Sequence, residues 1–183
     1  MKYLLILPLL FTIPLAQGAE YSVLLPQQSS ITFVSKQMNV PVEGSFRKFT
    51  ARIAVDPAKP ETGKAHIEID LAGIDTGSKE ADDEVKGKDW FDTKNHPIAS
   101  FTSTGITGKG QYQAAGKMTI KGKTQVIKAP FTLKQEGSLL LIEGAFPLKR
   151  LDFGIGSGVW GDTDVVADEV QVRFSLAVAA AGK

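Results

Sequence analysis

Residues that could bind a metal or act as a nucleophile are few in this chain of 183 residues. It has no cysteine, which excludes disulfides, thiolate metal sites and thiol nucleophiles. Its two histidines, His66 and His96, are too few and too far apart in sequence to form a local metal signature, and His66 is expected on an outer face. The acids from Asp162 to Glu169 could attract calcium, but their spacing does not match an EF-hand loop. We therefore expect no metal site.

Two glycine-containing segments resemble nucleotide-binding motifs. Residues 156–161 follow the spacing G-x-G-x-x-G, but a dinucleotide site also needs a strand before this motif and a helix after it. An acidic loop and a β-patterned segment follow instead. Gly122, Lys123 and Thr124 could end a phosphate-binding loop, yet Gly116 stands one residue too far upstream. We interpret the first segment as a turning loop and the second as a hairpin turn.

Candidates for acid–base or nucleophilic catalysis are equally weak. Asp82, Asp83 and Glu84 are adjacent, but they fall on a short polar segment where water would solvate them. The serines have neither a nearby histidine nor a nucleophile-elbow motif. We therefore predict that the protein is not an enzyme, and we assign no catalytic residue.

The amino terminus has the features of a secretory signal peptide. Lys2 is followed by an almost purely apolar run, residues 4–15, then by small residues and an acid. The apolar run is shorter than the roughly 20 residues that a membrane-spanning helix needs, which favours a cleaved signal over an uncleaved anchor. We predict that residues 1–19 are a signal peptide, cleaved after Gly18 or Ala19, and that the protein is periplasmic.

Residues 20–183 are predicted to form a single domain with a nearly neutral surface. Without the signal, the basic residues number 20, one fewer than in the whole chain, and the acidic residues also number 20. This balance argues against a nucleic acid as partner. The 43% of hydrophobic residues in the chain is sufficient for one ordinary core.

Apolar and polar residues alternate through most of this domain, which is typical of strands with one buried face. Closely spaced strands indicate an antiparallel sandwich or a closed barrel, and periodicity alone does not distinguish the two. The residues expected on the buried faces are Ile31 and Phe33; Phe49, Ala51, Ile53 and Val55; Ala65, Ile67, Ile69 and Leu71; Ala99, Phe101 and Ser103; Tyr112, Ala114, Gly116, Met118 and Ile120; Ala129, Phe131 and Leu133; Leu140, Ile142 and Gly144; and Val170, Val172, Phe174, Leu176 and Val178.

One segment has helical composition. Ser78 to Trp90 begins with a good N-cap residue, carries acids in its first turns and has Lys86 and Lys88 toward its end. We predict one short helix there.

A series of short motifs resembles the YceI family. In chain order they include Ile31-Thr32-Phe33, Gly44-Ser45-Phe46, Ile74-Asp75-Thr76, Lys88-Asp89-Trp90-Phe91-Asp92, Ala99-Ser100-Phe101-Thr102-Ser103-Thr104, Gly116-Lys117-Met118-Thr119-Ile120-Lys121-Gly122, Pro130-Phe131-Thr132-Leu133 and Leu151-Asp152-Phe153-Gly154-Ile155. Together they cover nearly all of residues 20–183. The resemblance implies an all-β fold, namely an extended lipocalin-like antiparallel β-barrel of about eight strands with one short helix, enclosing an apolar tunnel.

The resemblance also implies that the tunnel binds a polyisoprenoid or a quinone-like lipid. Each inward-facing residue could line this tunnel or belong to an ordinary core, because hollow and filled barrels give the same alternation. Trp90, Phe91, Phe153 and Trp160 would guard an entrance or plug the end of the barrel. The residues predicted to line the tunnel are Ile31, Phe33, Phe49, Ile53, Ile67, Ile69, Phe101, Met118, Phe131, Phe153, Val172 and Phe174.

Three functional hypotheses follow. The first is a carrier that holds an isoprenoid lipid and needs no cofactor. The second is a redox or stress accessory protein that presents a quinone to a membrane b-type cytochrome, a partner that the resemblance suggests. The third is an enzyme acting on the bound lipid, which would need an acid–base pair inside the tunnel, and the predicted inner faces contain none. An exposed strand edge or apolar patch would also allow a homodimer.

Overall fold

The structure is a computed structural model that describes residues 20–181. The predicted signal peptide, residues 1–19, lies outside the described residues. The described part of the chain contains eleven strands and one α-helix. These elements are β1 (Tyr21–Leu24), β2 (Ser30–Gln37), β3 (Val40–Phe46), β4 (Phe49–Ala54), β5 (Lys64–Asp70), β6 (Ile74–Asp75), α1 (Lys79–Lys86), β7 (Ile98–Lys109), β8 (Gln111–Ile120), β9 (Lys123–Glu136), β10 (Leu139–Lys149) and β11 (Glu169–Ala180).

All eleven strands belong to one antiparallel sheet, which is strongly curled. The strand order is β4, β5, β7, β8, β9, β10, β11, β2, β3 and β6, and β1 is added on β11. Two backbone hydrogen bonds between Tyr21 and Val55, of 2.9 and 3.1 Å, join β1 to the chain just after β4. The two sides of the sheet therefore approach each other and enclose an interior. The predicted all-β, barrel-like fold with one short helix is confirmed.

Strand β11 holds three other strands together. It pairs with β10 along nearly its whole length, with β2 through Gln171–Ser175, and with β1 near its end. Between the last two pairings, Ser29 Oγ accepts a hydrogen bond from Ala177 N at 3.0 Å. Ala177 and Val178 are fully buried as a result.

The long strands lie where the alternation predicts them, but there are eleven strands rather than about eight. β1 and β6 have four and two residues, which is too short to show a period. In β3, Gly44 lies opposite the inward-facing Phe33 and therefore interrupts the apolar series of that strand. The count differs for these local reasons, while the architecture is the predicted one.

The helix begins where the sequence predicts it. Ser78 Oγ accepts a hydrogen bond from Ala81 N at 3.2 Å, so Ser78 is the N-cap. α1 ends at Lys86, before Trp90, because the chain turns at Gly87. No helix within residues 20–181 is long and apolar enough to cross a membrane.

The interior contains two apolar clusters. One surrounds Leu140, Leu176 and Val178, and the other surrounds Leu71 and Phe153. Four partly buried residues pack against both clusters, so the two form one continuous core. These residues are Phe46, Ile69, Val172 and Phe174.

Candidate functional site

A cavity of about 370 Å³ lies inside the curled sheet. Apolar side chains from β2, β3, β5, β7 and β8 form most of its wall. At one end it is bordered by α1, by Gln37 at the end of β2 and by Trp160 in the 3₁₀ turn Gly158–Gly161. Gln37 and Glu84 border the cavity and are also exposed to solvent. We call this end, defined by Gln37, Glu84 and Trp160, the mouth.

A second cavity of about 110 Å³ lies beyond the first. Its far wall comes from Phe131, Ile142 and Leu176. Because the same side chains border both cavities, the two are neighbouring parts of one elongated lumen. The shared residues are Ile31, Ile67, Ile69, Phe101, Met118 and Val172.

Ten of the twelve residues predicted to line a tunnel border this lumen: Ile31, Phe33, Ile53, Ile67, Ile69, Phe101, Met118, Phe131, Val172 and Phe174. Phe49 borders a surface groove beside Ser30 and Thr50 instead. Phe153 is 2% exposed and belongs to the core, in the 3₁₀ turn Arg150–Phe153. Whether the ten contact a ligand stays a prediction.

The barrel is hollow along this lumen. Ile67, Ile69 and Phe101 face inward and are nevertheless only half-buried, because their side chains face the cavity rather than packed neighbours. Trp90, Phe91 and Trp160 border the cavity as well and do not fill it. Alternation in the sequence could not distinguish this hollow barrel from a filled one.

Three glycines allow phenylalanine rings to lie against the barrel wall. A Cβ atom on Gly44, Gly116 or Gly144 would lie 2.2, 2.3 or 2.5 Å from the ring of Phe33, Phe101 or Phe174, respectively. Each ring belongs to a neighbouring strand and occupies the space that a side chain would fill. The rings are therefore placed against the backbone, which leaves the centre of the lumen free.

Helix α1 covers the mouth and is attached there by polar contacts. Its apolar residues Ala81 and Val85 border the cavity. Trp160 Nε1 donates a hydrogen bond to Glu84 Oε1 at 2.9 Å, which links α1 to the 3₁₀ turn across the mouth. The rings of Trp90 and Trp160 are 5.5 Å apart between centroids.

Hydrogen bonds fix both ends of the segment that contains α1. At its start, the hydroxyl and backbone N–H of Thr76 both donate to Asp82 Oδ1 at 2.7 Å, and these bonds lower the pKa of Asp82. After the helix, Lys121 Nζ donates to the carbonyl oxygens of Lys88 and Gly154, each at 2.8 Å. Burial lowers the pKa of Lys121, against the opposing effect of nearby carboxylates.

Arg150 is the buried charged residue of the described chain, at 2% exposure, and it borders the lumen. Its guanidinium donates five hydrogen bonds of 2.7–3.1 Å to backbone carbonyl oxygens, and it lies 5.8 Å from the ring centroid of Trp90. Burial lowers the pKa of Arg150, and Asp168 partly offsets this effect. The five acceptors are Ile155, Gly156, Trp160, Val166 and Ala167.

Arg150 thus shapes the loop at the mouth rather than offering a donor to the lumen. All five N–H groups of its side chain are occupied by the loop of residues 155–167. Its role is not predictable from the sequence, because nothing in the local pattern separates Arg150 from the exposed Lys149 beside it. Val42 and Phe46 of β3 also border the cavity and are not among the predicted residues.

The other residues considered for chemistry have local structural roles. His66 Nδ1 lies 2.8 Å from Thr102 Oγ1 on the neighbouring strand, and Asp162 Oδ1 accepts a hydrogen bond from Asp164 N at 2.9 Å. The segment interpreted as a turning loop contains the 3₁₀ turn Gly158–Gly161. Within residues 20–181 no cluster of acids and histidines could hold a metal ion.

Sequence comparisons identify relatives along most of the chain. The profile of the YceI-like domain matches residues 23–178. A UPF0312 protein of Azotobacter vinelandii is 33% identical over 141 residues, which is 73% of this chain and 71% of that protein. A UPF0312 protein of Pseudomonas syringae pv. tomato is 32% identical over 144 residues, which is 72% of this chain and 75% of that protein.

Solved structures include similar folds. BcnA of Burkholderia cenocepacia superposes with a TM-score of 0.81 at 46% identity, covering 84% of this chain and 98% of that one. A polyisoprenoid-binding domain from Saccharophagus degradans superposes with a TM-score of 0.69 at 17% identity, covering 90% and 100% of the two chains. The second likeness concerns the fold alone. Because the domain profile spans nearly all of the described residues, this chain belongs to the YceI-like domain family.

Proposed function

We propose that this protein is a non-catalytic carrier that holds a polyisoprenoid or quinone-like lipid in the lumen of its barrel. The main support for this proposal is the apolar lumen, which consists of adjoining cavities of about 370 and about 110 Å³. Concave, mostly apolar sites of this size are typical of small-molecule binding. The solved domain from Saccharophagus degradans, which has the same fold, is itself described as polyisoprenoid-binding.

Burial of an apolar chain would supply enough free energy for useful affinity. Each buried methylene contributes about 0.8 kcal/mol, and micromolar affinity corresponds to about 8 kcal/mol. Two to three isoprene units therefore provide roughly that amount before the cost of ordering the chain is subtracted. No charged contact is required.

The polarity of the wall suggests how the lipid would be oriented. Polar side chains at the mouth include Gln37, Thr76 and Glu84, whereas Phe131 and Leu176 line the far end. A head group would remain near the mouth, where water and hydrogen-bonding groups are available. The tail would extend toward the far end.

The charged groups along the lumen are unsuited to catalysis. Glu84 and Arg150 border the larger cavity, but Glu84 accepts from Trp160, and the donors of Arg150 are occupied by carbonyl groups. Lys64 borders the smaller cavity. General acid–base catalysis needs a pair of groups free to exchange protons with a substrate, and these three residues provide no such pair.

The compartment and the partners belong to the same proposal. We place the carrier in the periplasm because residues 1–19 have the composition of a signal peptide. A head group held at the mouth would also suit the alternative role, in which the protein presents a quinone to a membrane b-type cytochrome. Sedimentation velocity would establish whether the carrier is a homodimer.

Native mass spectrometry with organic extraction tests the carrier role. The protein would be purified from its own periplasm without detergent, and we expect one copurified isoprenoid lipid per chain. Recovery of the protein from the cytoplasm would contradict the proposed periplasmic location. An empty barrel that also rejects added quinones and prenyl phosphates would contradict the carrier role.

A blocked lumen provides the matched comparison. Met118 borders both cavities, so Met118→Trp should obstruct the passage between them and reduce lipid occupancy at least about tenfold. Val126→Trp adds the same ring at a position that is 73% exposed and should leave occupancy unchanged. Thermal unfolding of both variants would verify that they fold.

A further inference from the structure

We propose that the mouth docks on the surface of a zwitterionic lipid bilayer through Met38, Val40 and Val159. The inference rests on the proposed function, because a lipid that resides in a membrane has to pass between the bilayer and the lumen. It adds a surface and a partner that the carrier role does not specify.

Three large apolar side chains are exposed near the mouth. Met38 is 72% exposed, Val40 is 61% exposed and Val159 is 82% exposed. Single exposed apolar residues are common and need no explanation, but a group of them beside a ligand opening indicates an interaction surface.

The β2–β3 hairpin, which carries Met38 and Val40, contacts the loop of residues 155–167, which carries Val159. Met38 and Asn39 form the turn between β2 and β3, and Met38 N donates to Val165 O at 2.8 Å. Val159 precedes Trp160, whose carbonyl oxygen accepts from Arg150 Nη2 at 2.7 Å. The same Nη2 atom donates to Val166 O at 2.7 Å, so both parts of the loop meet at one guanidinium. Met38, Val40 and Val159 therefore belong to one surface at the mouth, which we call the rim.

The inner wall of the lumen continues onto this rim. Val42 and Ser35 are opposite each other in the β2–β3 pair, and both border the cavity. The next pair outward on the same face is Val40 with Gln37, and Gln37 also borders the cavity. An apolar tail leaving the lumen along β3 would thus pass from Val42 to Val40 without crossing a charged group.

The backbone of the β2–β3 turn is left-handed at Met38. Met38 has a φ angle of 49° and Asn39 has a φ angle of 63°, both in the left-handed region. Glycine, asparagine and aspartate occupy such turn positions at lower cost than methionine. A strained and exposed methionine at the tip is explained if its side chain enters an apolar phase.

Charge indicates which bilayer fits. The exposed charged residues beside the rim are Asp162 and Asp164 in the loop and Lys36 before the turn, so carboxylates outnumber basic groups. Anionic lipids would be repelled by these carboxylates, whereas membrane-binding surfaces for anionic lipids are rich in lysine and arginine. The rim therefore fits a zwitterionic surface, to which it would bind by apolar insertion.

Flotation with ligand-free phosphatidylcholine vesicles tests the docking separately from lipid carriage. The full protein should float with these vesicles, and the triple variant Met38→Ser, Val40→Ser, Val159→Ser should bind at least about tenfold more weakly. Val126→Ser, which removes an equally exposed side chain from the outer wall, should bind like the unmodified protein. Replacing a third of the lipid by phosphatidylglycerol should weaken binding.

Several results would overturn the proposal. They are absence of flotation, equal flotation of the triple variant, and stronger binding to anionic vesicles. Conversion of a dimer to a monomer by the triple substitution, without vesicle binding, would identify the rim as a contact between two copies instead. Equilibrium binding of a short prenyl alcohol in solution, measured in parallel, reports on the carrier role and should be the same in the triple variant.

Discussion

Arg150 stabilises the mouth by an unusual use of a charged residue. A buried cation is normally paired with a carboxylate, because an isolated charge is costly in a medium of low dielectric constant. Here five backbone carbonyl groups solvate the guanidinium. In return, the guanidinium satisfies carbonyl groups of an irregular loop whose pairing with β2 is limited to a bridge between Val166 and Gln37. The conformation of residues 155–167 therefore depends on this side chain.

Substitution of Arg150 should destabilise the protein strongly. Arg150→Met leaves five carbonyl groups without their donor, and we expect a loss of about 3 kcal/mol or more in the free energy of unfolding. Arg150→Lys keeps the charge but has fewer donors, so its loss should be intermediate. Urea denaturation measures both.

The exposed Arg173 provides the control for these variants. Arg173→Met removes an arginine from β11 and should stay within about 0.5 kcal/mol of the unmodified protein. If Arg150→Met were as stable as this control, the loop would not depend on Arg150.

At the scale of elements, glycines in the strands make room for phenylalanine rings against the barrel wall. Gly116 on β8 lies opposite Ser103 on β7, and the ring of Phe101 covers it from the diagonal position. The arrangement spreads a bulky ring over the sheet instead of across the lumen. A carrier needs this arrangement, because a ring that extended across the lumen would fill the space for the tail.

Gly116→Ala should therefore affect both stability and capacity. The added Cβ would lie 2.3 Å from the Phe101 ring and 2.6 Å from Thr102 O, so the ring has to move into the lumen. We expect a loss of about 1–3 kcal/mol in unfolding free energy, together with weaker lipid binding. Urea denaturation and a binding titration measure the two effects.

Gly105 on β7 is the matched position for this substitution. A Cβ atom there would meet nothing within 4 Å, so Gly105→Ala should leave stability and binding nearly unchanged. Equal effects of the two substitutions would mean that backbone freedom, rather than the ring, decides the outcome.

The strands show how far the sequence could predict the fold. Long strands such as β8 and β11 have an uninterrupted period of two, and the alternation places them correctly. β3 was not identified, because its glycine accommodates a ring from another strand and shows no apolar signal of its own. The inward faces of long strands are therefore predictable. An inward-facing glycine such as Gly44 is not, because its place is explained only by a ring from another strand.

At the scale of the whole molecule, the two apolar clusters should unfold together. They share Phe46, Ile69, Val172 and Phe174, so neither can lose its packing without exposing the other. Both tryptophans of the chain, Trp90 and Trp160, border the cavity near the mouth. Tryptophan fluorescence therefore reports on that region, whereas far-ultraviolet circular dichroism reports on the whole sheet.

We expect the two signals to give the same midpoint in urea. A fluorescence transition at lower urea concentration would show instead that the mouth opens as a separate unit. Binding of a lipid should shift both transitions upward together, because it stabilises the folded state by mass action.

The part of the site that is formed by regular strands could be predicted from the sequence. Ten lumen residues come from strands with clear alternation, whereas the mouth is built from α1, the 3₁₀ turns and Arg150. These irregular parts are positioned by hydrogen bonds between residues far apart in sequence, such as Glu84 with Trp160. No local pattern encodes such contacts.

The central position of β11 has a consequence for the order of events during biosynthesis. The strand comes late in the chain, yet β10, β2 and β1 all pair with it. A ribosome therefore releases most of the domain before any of those three strands can pair with β11. Translation that stopped before Glu169 would yield a chain with several unpaired edges, which is a template for aggregation and a suitable substrate for proteases.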